Sequence, residues 1–286
     1  MTISVRPSGG PLGAEIEGVD LKALDPATFR TVEDALHEHL VIIVRDQKLE
    51  PADLVAFARR FGEPEPHVIN QFHHKADPNV LILSNRKNEA GEHIGLADGG
   101  TYFHSDYSYL ATPARCTILY AIEIPDGEAG TTFANQRAAY EALPEEERAR
   151  LEPLIARHHY GNRDDLDKGS RTVASVLSNE QEAKMAWERH PLVRRHPHTS
   201  KPALYAVSGS SFGVEGMDEA EGIDLLRRLA RHSTSADFTY QPKYRPGDVI
   251  VWDNASLLHS APLIKADDPR TLWRVTVKEA GPTLPA

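Results

Sequence analysis

Short β-prone runs fill the chain from Val80 onward, and they constrain its fold more than any other feature. The runs are rich in Val, Ile, Tyr and Thr, and clusters of Gly, Pro, Asn and Asp separate them at fairly regular spacing. This alternation of β-prone runs and turn-forming clusters is typical of all-β domains. With 286 residues and 40% hydrophobic side chains, the chain can form one large domain with a sizeable core.

The N-terminal part has a different pattern. Asp25-Pro26 resembles an N-cap followed by a first-turn proline, so we expect a helix of about three turns that ends near Leu40. The β-branched run Val41 to Val44 then predicts a buried strand, and helical spacing over 51–61 predicts a second helix that ends at Gly62.

Two further helical patterns and one irregular segment interrupt the β-rich part. Apolar spacing predicts helices over 138–151 and 218–230, and we expect both to buttress a sheet. The segment from about 161 to 200 is the least regular and carries many charges. We interpret it as an insertion, either a solvated loop or a lid.

Charge and cysteine content argue against several classes of function. Lys and Arg number 32 against 42 Asp and Glu, which leaves a net charge of -10 and no basic block, so we do not expect nucleic acid as a partner. A single cysteine, Cys116, excludes an intramolecular disulfide. The N-terminus lacks a secretory pattern, and the longest apolar run, Leu40 to Val44, is too short for a bilayer. We therefore expect a cytoplasmic protein without membrane partners.

A His-X-Asp string offers two ligands for a metal ion. Residues 101–109, TYFHSDYSY, are aromatic and β-prone, which predicts a strand on which His104 and Asp106 point the same way. An imidazole beside a carboxylate suits a divalent metal when a third ligand arrives from a distant strand. His259, which follows the turn and strand of RPGDVIVWDN, is the candidate. Alone, each histidine is more often a structural or surface residue.

Two arginines share one face of a predicted strand near the C-terminus. In the strand over 270–277, alternation places Arg270 and Arg274 on the same side. Buried guanidiniums keep their charge and match carboxylates in a bidentate fork, so the pair indicates anion binding. The alternative is two exposed arginines on an edge strand.

Together these residues resemble the taurine and 2,4-dichlorophenoxyacetate dioxygenase family of 2-oxoglutarate enzymes over most of the chain. The family pattern is a His-X-Asp, a distal histidine after Trp-Asp-Asn, and arginines 11 and 15 residues past that histidine. The matching residues here are His104, Asp106, Trp252-Asp253-Asn254, His259, Arg270 and Arg274.

The resemblance implies a mainly β fold with flanking helices. The family fold is a double-stranded β-helix, a cupin-like jelly roll, and we expect one domain over 1–286 with a metal at its open end. The three ligands would hold Fe(II), with 2-oxoglutarate and O2 as co-substrates and succinate and CO2 as products.

The resemblance also assigns anion-binding residues. Arg270 would pair with the distal carboxylate of 2-oxoglutarate, and Arg274 would hold an anionic group of the substrate. In the family a threonine of the Gly-Thr-Thr-Phe string helps to bind 2-oxoglutarate, and Thr132 aligns with it better than Thr131.

The expected substrate is a small organic acid. His67 in FGEPEPH occupies the substrate-side histidine position of the family, and Tyr102 and Tyr107 are further candidates for the substrate site. Asn70, also a candidate, stands where the taurine enzyme has a tyrosine, and Gly100 replaces an asparagine, which argues against taurine itself. Relatives commonly form dimers or tetramers, so we expect a homo-oligomer.

Two rival functions fit parts of the pattern. Two histidines and a carboxylate also suit a catalytic zinc, so a zinc hydrolase is one alternative, but it explains neither Arg270 nor a site for a dicarboxylate. The second alternative is a jelly-roll protein that binds a small molecule without turnover.

Overall fold

The helices and strands are known for most of the chain. The computed structural model describes residues 3–97, 99–125, 130–161, 177–183, 185–262, 264, 268–281 and 283–285. The α-helices within these ranges are α1 (Pro26–His39), α2 (Pro51–Ala58), α3 (Gln136–Glu141), α4 (Glu145–Leu151), α5 (Asn179–Glu182) and α6 (Glu219–Ser233). The strands are β1 (Ser4–Pro7), β2 (Ala14–Glu17), β3 (Val41–Val44), β4 (His73–His74), β5 (Asp77–Ser84), β6 (Ala114–Glu123), β7 (Thr132–Asn135), β8 (Ile155–His158), β9 (Glu188–Pro191), β10 (Val193–Arg195), β11 (Pro202–Leu204), β12 (Ser211–Val214), β13 (Thr239–Tyr240), β14 (Val249–Asp253), β15 (Leu257–Ser260), β16 (Thr271–Lys278) and β17 (Leu284–Pro285).

A large sheet forms the body of the fold. Its strand order is β1-β2-β3-β14-β6-β16-β5-β4, and every neighbouring pair is antiparallel except β2 and β3. The central strands are buried on both faces, so their side chains alternate between two cores. In β3, Ile42 and Val44 pack against the core formed with α1 and α2, whereas Val41 and Ile43 pack on the opposite side.

A small sheet faces the large one across that second core. It has the order β13-β7-β15, and its Phe133 and Leu257 pack against the inner side chains of the large sheet, including Ile250 and Leu272. Two facing sheets flanked by helices form the predicted jelly roll. The inner face of the large sheet is where the candidate site lies.

The remaining elements form a separate core at the edge of the small sheet. The sheets β12-β8-β9 and β11-β10-β17 pack with α3 and α6, and this core includes Tyr140, Val214, Leu226 and Leu258. Among the described helices, none combines the length and the apolar character that crossing a bilayer requires.

Local signals set the helix ends, with two differences from the predictions. Asp25 caps α1 by accepting from two backbone amides, and the helix ends at Leu40, whose φ is 63°, as expected. Helix α2 ends at Ala58, earlier than the predicted end near residue 61. The helix predicted over 138–151 is two helices, α3 and α4, because Pro144 cannot donate a backbone hydrogen bond to continue the first.

The last predicted helix has its cap where the sequence placed its start. Asp218 accepts from the amides of Ala220 and Glu221, and α6 continues to Ser233, slightly beyond the predicted end. This long helix buries Leu226 and Leu229 and so buttresses the edge sheets.

The strand predicted over 101–109 is wrong. His104 forms one isolated antiparallel bridge with His259, and residues 106–109 are a turn in which Tyr107 has a φ of 55°. A left-handed residue ends pairing because it turns the backbone out of the extended region. His104 and Asp106 nevertheless reach the same place, as described below.

The segment predicted as an irregular insertion over 161–200 is only partly described. Residues 162–176 and 184 lie outside the described residues. The described remainder contains α5, β9 and β10, so its C-terminal part is regular, contrary to the prediction.

Candidate metal centre and cavity

Two histidines are held side by side by backbone pairing. The His104 amide donates to the His259 carbonyl at 3.0 Å, and the His259 amide donates to the His104 carbonyl at 2.8 Å. The two ring centroids are 4.2 Å apart. This bridge brings together residues that are far apart in the sequence.

Asp106 completes the group. Its Oδ1 lies 3.6 Å from His104 Nε2, and its Oδ2 lies 3.6 Å from His259 Nε2. Ligand atoms of the three residues all lie within 4.8 Å of one another. Two imidazole nitrogens and one carboxylate oxygen therefore converge on one point, the donor set that mononuclear Fe(II) oxygenases use.

The protonation of the group suits a metal ion. His104 Nδ1 lies 2.8 Å from the Tyr102 carbonyl, which can only accept, so Nδ1 is the donor and Nε2 is the ring nitrogen that faces Asp106 and could bind a metal. Burial, and then His104, hold the pKa of His259 well below its ordinary value. Burial raises the pKa of Asp106, but Arg274 and His259 outweigh it, and the pKa lies well below 3.8.

Two glycines leave room around the His104 ring. At Gly100, whose φ is +72°, a Cβ would lie 2.5 Å from His104 Cε1 and 3.0 Å from Nε2. At Gly209, whose φ is +83°, a Cβ would lie 2.6 Å from His104 Cβ. Because real Cβ atoms do not approach this closely, larger residues would displace the imidazole. This space beside Nε2 supports a metal at the group.

A cavity of about 530 Å³ opens beside the three ligands. The predicted residues His67, Tyr102, Tyr107, Arg270 and Arg274 all line it. Much of the remaining wall is apolar, and these side chains are Ile69, Leu83, Leu96, Leu119, Leu177, Met185, Trp187 and Phe212. A cavity of this size and composition suits a small organic ligand.

The two arginines on β16 and just before it have different surroundings. Arg274 NH2 lies 2.7 Å from Asp106 Oδ1, and Arg274 Nε donates to Thr276 Oγ1 at 3.1 Å. Arg270 is partly buried, and Asn85 holds its backbone on both sides, with N to Oδ1 at 3.0 Å and O to N at 3.3 Å. Among the described residues that line the cavity, the charged groups are thus these two arginines, the buried carboxylate of Asp106 and the exposed carboxylate of Glu182.

His67 is a neutral side chain in this site. Burial and the charge of Arg274 lower its pKa to about 3. The Ile69 amide donates to His67 Nδ1 at 3.1 Å, so the hydrogen of the neutral ring lies on Nε2. The Tyr107 hydroxyl donates a hydrogen bond to the Glu65 carbonyl at 3.2 Å, so Tyr107 contributes its ring rather than its hydroxyl to the cavity wall.

Two predicted site residues need correction. Asn70 is exposed and does not line the cavity, where its neighbour Ile69 lies instead, because the chain at 69–70 turns only one side chain inward. Thr131, which is buried, lines the cavity, whereas Thr132 does not. Alternation along the start of β7 places the two threonines on opposite faces.

Sequence reasoning missed the apolar walls from the segment after residue 176. Leu177, Met185 and Trp187 line the cavity, and Trp187 packs edge-on against Phe212, with centroids 5.7 Å apart. Trp187 stands in an otherwise charged stretch of sequence, and this isolated aromatic residue was the signal from which the apolar wall could have been predicted.

A second group of possible ligands is already satisfied by hydrogen bonds. His196 Nε2 lies 2.7 Å from Asp253 Oδ2, and His196 Nδ1 accepts from the amides of His198 and Thr199. The other oxygen, Asp253 Oδ1, accepts from two backbone amides. Although His37 lies near, this group is a closed polar network, and it ties the Trp-Asp-Asn string to the neighbouring segment.

The jelly-roll fold and the His-Asp-His group are both features of one class of enzyme, the mononuclear Fe(II) oxygenases. The chain belongs to one family of that class: the family model described as "Taurine catabolism dioxygenase TauD, TfdA family" matches residues 4–276. It is therefore an Fe(II)- and 2-oxoglutarate-dependent dioxygenase, and the predictions of fold class, family, cofactors and reaction class are confirmed.

Similar proteins cover nearly the whole chain. An alpha-ketoglutarate-dependent 2,4-dichlorophenoxyacetate dioxygenase of Cupriavidus pinatubonensis is 31% identical over 96% of this chain and 98% of its own. An (S)-phenoxypropionate/alpha-ketoglutarate-dioxygenase of Delftia acidovorans is 30% identical over 95% of this chain and 94% of its own. The solved structure of AAD-2 with Mn(II) and N-oxalylglycine is 27% identical, with a TM-score of 0.80 over 99% of this chain and all of that one.

Proposed function

We propose that His104, Asp106 and His259 hold the ferrous ion and that the enzyme oxidises a small carboxylic acid with an apolar body. The convergence of the three ligands beside a cavity lined by two arginines carries this proposal. When bound, the ferrous ion and 2-oxoglutarate supply the oxidising chemistry, in which O2 is consumed and succinate and CO2 are formed. The protein positions the substrate for that chemistry.

Arg270 and Thr131 are the proposed partners of 2-oxoglutarate. Arg270 would bind the distal carboxylate through its guanidinium fork. Thr131 lines the same cavity and takes the role expected of Thr132, because its side chain is on the inner face. The backbone hydrogen bonds from Asn85 support Arg270 by fixing the point from which its side chain extends.

Arg274 is the proposed clamp for the acid group of the substrate. A divalent ion and the dianionic co-substrate cancel each other, and Asp106 cancels one of the two guanidiniums. Among the described residues of the wall, His67 is neutral and Glu182 is exposed to solvent, so the balance over these residues is one positive charge, which favours a monoanion. The charge balance therefore favours a substrate with one acid group.

The apolar wall supports a substrate with a hydrophobic body. Tyr102, Tyr107 and Phe212 offer aromatic surface, and Ile69 and Leu96 offer aliphatic surface. The named substrates of the relatives, (S)-phenoxypropionate and 2,4-dichlorophenoxyacetate, combine one carboxylate with one ring. We propose an aryloxy acid or a carboxylic acid of similar size, with His67 Nε2 as a neutral hydrogen-bond donor to it.

A succinate assay tests this function. The enzyme is loaded with Fe(II) without air, given 2-oxoglutarate, and exposed to air with a panel of aryloxy acids, aliphatic acids, taurine and uncharged amides of the same acids. We expect iron-dependent succinate that aryloxy acids stimulate and their amides do not. No iron-dependent succinate with any compound would overturn the proposal, and turnover that needs neither O2 nor 2-oxoglutarate would favour the zinc hydrolase.

We further propose one domain over 1–286 that acts in the cytoplasm as a dimer or tetramer and has no nucleic-acid or membrane partner. The single buried cysteine, Cys116, supports a reducing compartment, and the net charge of -10 argues against nucleic acid. Leu177, Met185 and Trp187 in the cavity wall support a lid role for part of 161–200. Light scattering after size-exclusion chromatography measures the oligomeric state, and a monomer would contradict it.

A further inference from the structure

Two buried side chains outside the cavity contact Asp106. Thr117 on β6 donates its hydroxyl to Asp106 Oδ2 at 2.6 Å, and Asn254, directly after β14, accepts from the Asp106 amide at 3.3 Å. Both residues are almost fully buried, at 0% and 1% exposure, and neither lines the cavity. Asp106 is the cavity residue that both of them contact.

The hydrogen bonds run in one fixed direction. Asn254 Oδ1 accepts from Trp252 Nε1 at 3.1 Å and from the Asp106 amide, both of which can only donate. The amide nitrogen of Asn254 must therefore face Thr117 Oγ1, to which it donates at 3.0 Å. Because an ionised carboxylate only accepts, the Thr117 hydroxyl donates to Asp106. These hydrogen bonds form a relay that runs from Asn254 through Thr117 to Asp106. Each donor in the relay has an acceptor, and each hydrogen bond polarises the next.

These side-chain hydrogen bonds supplement a weak backbone contact. His104 is fixed by its bridge to His259, whereas Asp106 lies at the start of a turn, where its carbonyl accepts from the Ala114 amide at the long distance of 3.4 Å. Only side-chain hydrogen bonds and ion pairs can then set the angle of its carboxylate. Arg274 lies 2.7 Å from Oδ1 and Thr117 donates to Oδ2, so removing the Thr117 hydroxyl leaves Oδ2, the oxygen that faces His259, without this hydrogen bond.

We propose that Thr117 and Asn254 are positioning residues that hold the Asp106 carboxylate in its metal-binding orientation. This inference rests on the proposed metal ligands. Outer partners of this kind commonly change metal affinity or activity by about 10- to 100-fold when removed. A merely structural pair would change stability and leave metal affinity alone, so the two roles differ in a measurable way.

The test measures Mn(II) affinity by the electron paramagnetic resonance signal of the free ion, with thermal unfolding recorded in parallel. Thr117→Val keeps the shape and removes the donor, and we expect about 10- to 100-fold weaker Mn(II) binding. Thr117→Ser restores the hydroxyl and should recover most of the affinity. Thr117→Cys places a weaker donor of similar size at this position, so its Mn(II) affinity should be intermediate. This variant provides the measurement if Thr117→Val does not fold.

Ser84→Ala is the control. Ser84 on β5 is 2% exposed and lies in the same sheet, but its hydroxyl forms a hydrogen bond with Thr271 Oγ1 at 2.9 Å and it does not line the cavity. We expect this variant to bind Mn(II) as the unmodified enzyme does. Wild-type affinity in Thr117→Val and Thr117→Cys, or an equal loss in Ser84→Ala, would overturn the inference about Thr117 and leave the proposed metal site intact. No Mn(II) binding by the unmodified enzyme would instead overturn the proposed metal site.

Discussion

Replacing Arg270 should weaken 2-oxoglutarate binding far more than it weakens the fold. Arg270 and Thr131 both line the cavity, and in our proposal two guanidinium N–H groups of Arg270 bind one carboxylate. Hydrogen bonds to charged groups contribute about 1.5–3 kcal/mol each, so losing two removes at least about 3 kcal/mol. At about 1.4 kcal/mol per tenfold, Arg270→Ala should raise the apparent KM for 2-oxoglutarate by about 100-fold. Arg270→Lys, which can keep one bond, should raise it by about tenfold.

The assay is succinate formation at saturating Fe(II) and organic acid, with 2-oxoglutarate varied. Arg86→Ala is a suitable control, because Arg86 lies on the same sheet region but pairs with Glu123 outside the cavity, with half of its side chain exposed. An unchanged KM in Arg270→Ala, or an equal rise in Arg86→Ala, would refute the assignment. A rise seen only in Arg274→Ala would show that the two arginines have exchanged roles.

Three further outcomes are expected from buried titratable groups. Glu279→Gln leaves the wholly buried Arg194 without its ion-pair partner and should lower the free energy of unfolding by about 3–5 kcal/mol in urea titrations; a loss below about 1 kcal/mol would contradict this. His196 lowers the pKa of Asp253 to about 2 against the raising effect of burial, so this carboxylate stabilises the fold fully above pH 3.8, and about 2 kcal/mol is lost as pH falls through 2. Asp253→Asn should flatten that part of an acid unfolding profile, and an unaltered profile would count against it. The pKa of His67 is about 3, so this side chain stays neutral from pH 6 to 8. The plot of the KM for the organic acid against pH over this range should therefore have the same shape in His67→Asn as in the unmodified enzyme, and a different shape would contradict this.

Much of the fold could be predicted because its signals are local. Asp25 with the following proline set the start of α1, and the β-branched run 41–44 gave the first central strand of the large sheet. Pro144 is the local signal for the break between α3 and α4, and the prediction of one helix over 138–151 did not take it into account. Helix ends that depend on packing, as at Ala58, could not be predicted from spacing.

The grouping of the three proposed metal ligands could be predicted from spacing, although one part of the reasoning was wrong. His104 and Asp106 converge through a single bridge and a turn rather than through strand alternation. Thr117 and Asn254 could not be assigned to Asp106, because their contacts depend on the register of β6 and β14, which no local pattern records. The same is true of the choice between Thr131 and Thr132, which depends on where β7 begins.

The most direct test of the central claim is a crystal structure of the enzyme with Mn(II) and N-oxalylglycine, measured for anomalous scattering from manganese. We predict one strong peak within about 2.3 Å of His104 Nε2, His259 Nε2 and an oxygen of Asp106, close to the distances that such ligands give. A peak at His37, His196 and Asp253 instead, or no peak beside His104, would contradict the account.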